Sequence, residues 1–164
     1  MNIARQWRSG GPWLRRILVA ALTAVLGMIM MGAAPAQAAS TRATVYCNGA
    51  SCAGKDPSAQ GCATDGYTVQ LVDASPLGTW AGLELRYSPA CNANWARLSA
   101  QSYNGAWVSL CVVNDANRAD IQCTGSVRNG YLWSPMIDGH KKVFASIGWS
   151  LDSGGGGNTR TGAF

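Results

Sequence analysis

The only histidine and the only glutamate of this chain are its first candidates for a catalytic acid or base, and neither has the sequence neighbours that catalysis needs. His140 is the only histidine and lies between Gly139 and Lys141 in a predicted turn, which indicates a surface histidine rather than the base for a nucleophile. Glu84 is the only glutamate, and Arg86 shares its face of a predicted strand. That neighbour favours an ion pair over the acid of a glycosidase. We assign no catalytic residue.

A phosphate-binding motif is matched only in part. Gly49 to Lys55 satisfies G-x-x-x-x-G-K, but Asp56 replaces the hydroxyl residue that holds magnesium, and Pro57 removes an amide donor. Asp56 and Asp65 could instead bind calcium, but no twelve-residue calcium loop is present, and solvated turn aspartates are the better interpretation. We expect no cofactor and no metal.

The cysteines indicate an oxidising compartment. The chain has six cysteines, and an even number in an exported chain predicts three disulfides. Their irregular spacing, with only one histidine in the chain, argues against a zinc site. Cys111 and Cys123 lie symmetrically about Asn117, where a hairpin is predicted to turn, so we expect them to pair. The remaining four are expected to pair among themselves, with three connectivities open: Cys47, Cys52, Cys62 and Cys91.

Residues 1–38 are predicted to be a signal peptide. Four arginines precede an apolar run over 17–31, and Ala36-Gln37-Ala38 forms a small-x-small cleavage site. The run is shorter than the roughly 20 residues that span a bilayer, so we expect a secreted protein without membrane contact after cleavage. Arg15-Arg16 keeps a twin-arginine export route open beside the general one.

Removal of this leader changes the electrostatics of the chain. Four of the 13 Lys+Arg and none of the 8 Asp+Glu lie in it, which leaves a net charge near +1. A net charge this small does not predict binding to nucleic acid or to an anionic membrane.

The remainder has the length of one domain. Residues 39–152 are predicted to form a single disulfide-stapled β-rich domain, and 153–164 a flexible glycine-rich tail. Further strands are expected at 68–72, 107–113, 121–127 and 142–149, and an edge strand or loop around Pro135.

The stretch from Leu83 to Leu98 is expected to organise this domain. Leu83 to Tyr87 alternates as a half-buried strand that ends at Pro89. Cys91, Trp95 and Leu98 then follow at the spacing of one face of a short helix or wound turn. The predicted fold is mostly β, a small sandwich or barrel of five to seven strands with at most one short helix.

Tryptophans supply the candidate binding residues. Trp95 and Trp149 are expected in the core, because each indole buries a large area. Trp80 lies between two glycines, and Trp133 lies between a glycine-bearing turn and Pro135. Either could be an exposed platform for a sugar ring or a peptide.

Several motifs together resemble a secreted bacterial family called domain of unknown function 2690. They are C-x-G-x-x-C-x-G-K-D-P from Cys47, G-C-A-x-D from Gly61, and E-L-R-Y-S-P-x-C-x-A-x-W-A-R from Glu84 to Arg97. YLWSPMI, from Tyr131, resembles more loosely that family's later Tyr-x-x-Met segment. In actinobacterial members the domain stands alone behind a signal peptide or outside a membrane-anchored regulator. The resemblance therefore implies a binding or sensing module, and it supplies no catalytic residue.

Three classes of function are consistent with these features. A non-enzymatic module that binds an unknown extracellular ligand, such as cell-wall polysaccharide or protein, fits the stapled scaffold and the tryptophans best. A secreted inhibitor or toxin-like effector could use the loop from Cys47 to Cys62. A secreted hydrolase would need an acid–base cluster that the sequence does not indicate.

Overall fold

The structure is a computed structural model, and it describes residues 44–77, 81–100 and 102–164. The predicted signal peptide and Trp80 lie outside these residues. Within them, none of the helices is long and apolar enough to cross a membrane.

Nine strands and three short 3₁₀ turns make up the regular structure of the residues described. The turns span Gly49–Cys52, Cys62–Thr64 and Ser75–Leu77. The strands are β1 (Tyr67–Asp73), β2 (Gly82–Ser88), β3 (Ala93–Leu98), β4 (Trp107–Asn114), β5 (Ile121–Cys123), β6 (Leu132–Trp133), β7 (Ile137–Asp138), β8 (Val143–Ser150) and β9 (Gly156–Arg160).

These strands form two antiparallel sheets. The first has the order β1-β2-β3-β6, and β7 pairs with β3 on the same side as β6. The second has the order β5-β4-β8-β9. The predicted mostly β fold is confirmed, but the strands number nine rather than five to seven, and the described residues form two sheets rather than a closed barrel.

The main core lies between the two sheets. Alternate residues of β2 and β3 point inward, as do alternate residues of β4 and β8, and together they bury one apolar face of each sheet. The strand members of this core are Leu83, Leu85, Ala96, Leu98, Val108, Leu110, Val112, Val143, Ala145 and Ile147.

The expected helix or wound turn after Pro89 is wrong. Asn92, with a φ of 45°, takes part in a tight turn, and the chain then returns as β3, which pairs with β2 along its whole length. Trp95 and Leu98 therefore lie on opposite faces of a strand. Their helix-like spacing arises because both faces of β3 are buried.

Part of the segment 153–164, predicted as a flexible glycine-rich tail, forms a strand. Gly156–Arg160 forms β9 and pairs with β8 from Ser146 to Ser150. A Cβ on Gly157 would collide with the ring of Trp149, so glycine here allows the indole to lie against the strand backbone. Strand pairing needs only backbone groups, so a glycine-rich composition does not reveal whether a segment forms a strand.

Three disulfides staple the fold. Cys111 lies opposite Cys123 in the β4–β5 pair, and the two are bonded. The other four cysteines form two bonds, Cys47–Cys52 and Cys62–Cys91. The second of these ties the segment before β1 to the turn between β2 and β3.

Candidate functional site

Residues 44–66, here called the cap segment, lie over the outer face of the first sheet. A second apolar cluster forms beneath them, where Trp95 and Met136 pack against the cysteines of both cap disulfides. Gly66 is required at the edge of this cluster, because a Cβ there would collide with the ring of Trp95. The cap segment is thus held to the sheet by two covalent bonds and an apolar layer.

Backbone amides of the cap segment are occupied by the protein itself. Gly49 N donates to Cys91 O at 2.8 Å, and Gly54 N donates to Met136 O at 2.9 Å. Asp65 accepts hydrogen bonds from Ser88 and from the Ala90 amide. The partial phosphate-loop motif therefore contributes to anchoring, and its amides at Gly49 and Gly54 are not available to cradle a phosphate.

The outer face of β2 and β3 carries a charged cluster under the edge of the cap. Glu84 pairs with Arg97 across the strands, and Arg97 Nη2 lies 2.9 Å and 2.8 Å from the two carboxylate oxygens. Arg86 Nη1 donates to Glu84 Oε2 at 3.2 Å, and the Thr68 hydroxyl also donates to this oxygen. The carboxylate is therefore satisfied on both oxygens.

This environment keeps Glu84 ionised. Burial alone would raise the pKa of the carboxyl group, but hydrogen bonds from Thr68 and Arg97, with the charges of Arg97 and Arg86, lower the pKa below its ordinary value. A general acid needs the opposite shift. The predicted ion pair with Arg86 is present, and Arg97 adds a second.

Beside this cluster lies a cleft of about 160 Å³, here called the outer cleft. The cap segment contributes Pro57 and Ser58, and the first sheet contributes Arg86, Trp95 and Arg97. Residues 131–133 form the remaining wall with two aromatic rings. The cleft thus combines aromatic walls with guanidinium groups.

Trp133 is fixed in this wall by strand pairing and by a side-chain hydrogen bond. It lies opposite Arg97 in the β3–β6 pair, and its Nε1 donates to Asp56 Oδ2 at 2.7 Å. Asp56 is itself oriented, since its Oδ1 accepts the Ala59 amide at 2.8 Å. The structure therefore places Trp133, a predicted binding residue, in the outer cleft, whereas Trp80 lies outside the described residues.

The other described tryptophans have different surroundings. Trp95 is 2% exposed and Arg86 lies over its ring, with the guanidinium carbon 6.0 Å from the ring centroid. Trp149 packs against the main core. Trp107 is exposed on the second sheet, and its Nε1 donates to Asp152 at 3.0 Å.

His140 lies in an exposed turn, as its neighbours predict. Its Nδ1 is 2.8 Å from Asp138 Oδ1, and Asn92 Nδ2 is 2.8 Å from its Nε2. Burial would raise the pKa of Asp138, but hydrogen bonds and charge from His140, with the charge of Lys141, lower it. Each ring nitrogen thus lies within hydrogen-bond distance of a neighbouring side chain.

The described residues closest to a metal-binding arrangement are the four cysteines of the two cap disulfides, here called the cap cysteines: Cys47, Cys52, Cys62 and Cys91. Their sulfur atoms all lie within 4.8 Å of one another, and all four residues are buried. Zinc needs thiolates, and here each sulfur is bonded to another sulfur. The cluster in this structure is a pair of stacked disulfides.

The sequence did not indicate Arg97 as a site residue, and it indicated Asp56 only as a solvated turn aspartate or a calcium ligand. A usable signal was present for Arg97, because a tight turn over 89–92 followed by a strand places it opposite Glu84. No local signal existed for Asp56, whose contact with Trp133 spans 77 residues.

The fold and site together define a disulfide-stapled antiparallel sandwich with a capped outer face. The sequence profile of the family described as protein of unknown function (DUF2690) matches residues 50–143, which is more than half of the chain. The chain belongs to this family. No curated protein and no solved structure matches the chain.

Proposed function

We propose that this chain is an exported, non-enzymatic binding module that captures a cell-wall saccharide in the outer cleft. The observation that carries the proposal is the Trp133 indole, which lines the cleft and is held by Asp56. A sugar ring stacks on an aromatic face, and a preoriented ring loses little conformational entropy on binding.

The rigidity of the cap supports binding without a large conformational change. Both cap disulfides are buried, and Met136 N also donates to Lys55 O at 2.9 Å beside the cleft wall. A site whose walls are fixed in advance binds with a smaller ordering cost.

The chemistry of the titratable groups supports binding rather than hydrolysis. Glu84 is ionised and paired with two arginines, and it lies beneath the cap edge beside the cleft. Retaining and inverting glycosidases both need one carboxylic acid that keeps its proton near neutral pH. The surroundings of Glu84 favour loss of that proton.

Export is proposed on the leader and on the disulfides. The 1–38 segment has a basic, then apolar, then small-residue pattern, and three disulfides persist best outside the cytosol. An actinobacterial-type secreted module is the form of the family that we propose for this chain.

Co-sedimentation of the purified, oxidised chain with insoluble cell-wall polysaccharide tests this function. We expect the wild type and Trp107→Ala to sediment with the polysaccharide and Trp133→Ala to remain in solution. Equal sedimentation of both variants would contradict the assignment of the outer cleft. Release of soluble sugar by the wild type would contradict the non-enzymatic proposal.

A further inference from the structure

The charge of the outer cleft restricts the saccharides that it can hold. Two arginines line the cleft, and none of its lining residues is a carboxylate. Glu84 neutralises one of the two positive charges from beside them. The lining residues and Glu84 together therefore carry one net positive charge, and the Asp56 carboxylate at the cleft wall accepts the Trp133 indole N–H.

One edge of the Arg97 guanidinium group can still donate hydrogen bonds to a ligand. Its Nε and Nη2 donate to Glu84, whereas none of the described residues accepts a hydrogen bond from Nη1. The Arg97 side chain is 42% exposed. A guanidinium fixed on one edge by a carboxylate presents its other edge in a set direction, which suits a second carboxylate.

Strand pairing places Arg97 next to the aromatic wall of the cleft. Arg97 and Trp133 are directly opposite in the β3–β6 pair and both line the cleft. A ligand ring against the indole would therefore have its substituents beside Nη1. Arg86 also lines the cleft, but its Nη atoms already donate to Thr68, Glu84 and the Gly66 carbonyl, so Arg97 is the lining arginine with donors to spare.

The size of the cleft sets the scale of the ligand. A volume of about 160 Å³ is below the several hundred Å³ typical of sites for drug-sized ligands. A single ring with one charged substituent fits this scale better than a long peptide. Neighbouring rings of a polymer would lie outside the cleft.

We propose that the outer cleft recognises a sugar ring that carries a carboxylate, with the ring against Trp133 and the carboxylate on the Nη1 edge of Arg97. This inference rests on the proposed function and adds selectivity for charge. The carboxylate can belong to a uronic acid or to the lactyl ether of a muramic acid. Both sources present the same group beside a pyranose ring.

Calorimetric titration with matched sugars tests the inference. One pair is trigalacturonic acid and its methyl ester; the other is the N-acetylglucosamine–N-acetylmuramic acid disaccharide and uncharged chitobiose. We expect at least one acid to bind about ten-fold or more tightly than its neutral counterpart, and its affinity to fall as salt is raised. The pair that shows the preference identifies the source of the carboxylate.

Arg97→Lys tests whether the guanidinium edge or the positive charge alone gives the preference for the acid. Lysine keeps the charge and can still neutralise Glu84, but it lacks the guanidinium edge. We expect this variant to lose most of the preference for the acid, so that the ratio of the two affinities falls toward one. Trp133→Ala should weaken the acid and the neutral sugar alike. An unchanged circular dichroism spectrum confirms that each variant is folded.

Three results would overturn the inference. Equal affinity for the acid and its neutral counterpart in both pairs removes charge selectivity but leaves saccharide binding in place. Binding of an acetylated dialanine carboxylate, without binding of any sugar, assigns the cleft to a peptide end. Absence of binding to every sugar and to cell-wall polysaccharide overturns the proposed function as well.

Discussion

The indole of Trp133 donates a hydrogen bond to Asp56 across 77 residues of sequence, with 2.7 Å between Nε1 and Oδ2. This contact joins the cap segment to β6 along one wall of the outer cleft. Because the cap is also bonded to the first sheet by Cys62–Cys91, the indole is held between two parts of the fold that are covalently linked.

Asp56→Ala should weaken ligand binding more than it weakens the fold. The substitution removes the acceptor of the Trp133 indole and of the Ala59 amide, and we expect a loss of about 1 kcal/mol of unfolding free energy because the site is exposed. Asp73→Ala is the matched control, since among the described residues the Asp73 side chain accepts the Ser75 amide alone. Urea unfolding and polysaccharide binding measure the two effects. Equal binding by both variants would show that the indole does not need this anchor.

Glu84→Gln should change how stability depends on pH. The pKa of Glu84 in the folded state lies below its ordinary value of 4.5, so its ion pairs stabilise the fold fully above that value. The contribution is lost as the pH falls through the lowered folded pKa. At pH 7 we expect the variant to lose about 3 kcal/mol, because two buried or half-buried guanidinium groups lose their partner.

Chemical denaturation between pH 2 and pH 7 measures this linkage. The unfolding free energies of wild type and Glu84→Gln should converge in acid. Asp115→Asn breaks an exposed pair with Arg118 and should cost less than about 1 kcal/mol. A gap between wild type and Glu84→Gln that stays constant over the whole range would contradict the lowered pKa.

The three disulfides should differ in their resistance to reduction. Cys123 is exposed and Cys111 half-buried, whereas the four cap cysteines are at most 8% exposed. Thiolate attack needs access to a sulfur atom, so a limiting amount of a thiol reductant should reduce Cys111–Cys123 first. Alkylation followed by peptide mapping identifies the opened bond. Early labelling of Cys62 or Cys91 would contradict the packing of the cap.

Gly157→Ala should destabilise the protein although it lies in a sequence of four glycines. Its Cβ would meet the ring of Trp149, and overpacking of this kind costs about 1 to 3 kcal/mol. Gly148→Ala, in the neighbouring strand, meets open space and is the control. Thermal unfolding compares the two variants. Equal melting temperatures would indicate that β9 does not pack on β8.

Strands in which mostly polar or small residues alternate with apolar ones could be predicted, and β3, which carries apolar residues on both faces, could not. Leu83 to Tyr87 and Val143 to Trp149 alternate because one side of each faces the core between the sheets. β3 does not alternate, since the cap segment covers its outer face. A covering loop is a tertiary feature, and local periodicity does not reveal it.

The same distinction applies to the site. Trp133 could be predicted because glycine and proline beside an indole favour a turn toward the surface. Asp56 could be read only as a turn residue, and Arg97 only as a polar neighbour of Trp95. Their roles come from pairing across strands and from the position of the cap over the sheet.

Titration of the tryptophan indole N–H signals by nuclear magnetic resonance tests saccharide capture at the outer cleft most directly. The ¹⁵N-labelled chain is titrated with soluble cell-wall saccharide, and Trp133→Phe and Trp107→Phe assign the two signals. We predict that the Trp133 signal shifts in proportion to the bound fraction while the Trp107 signal stays in place. Saturation of binding with an unmoved Trp133 signal would contradict capture in this cleft.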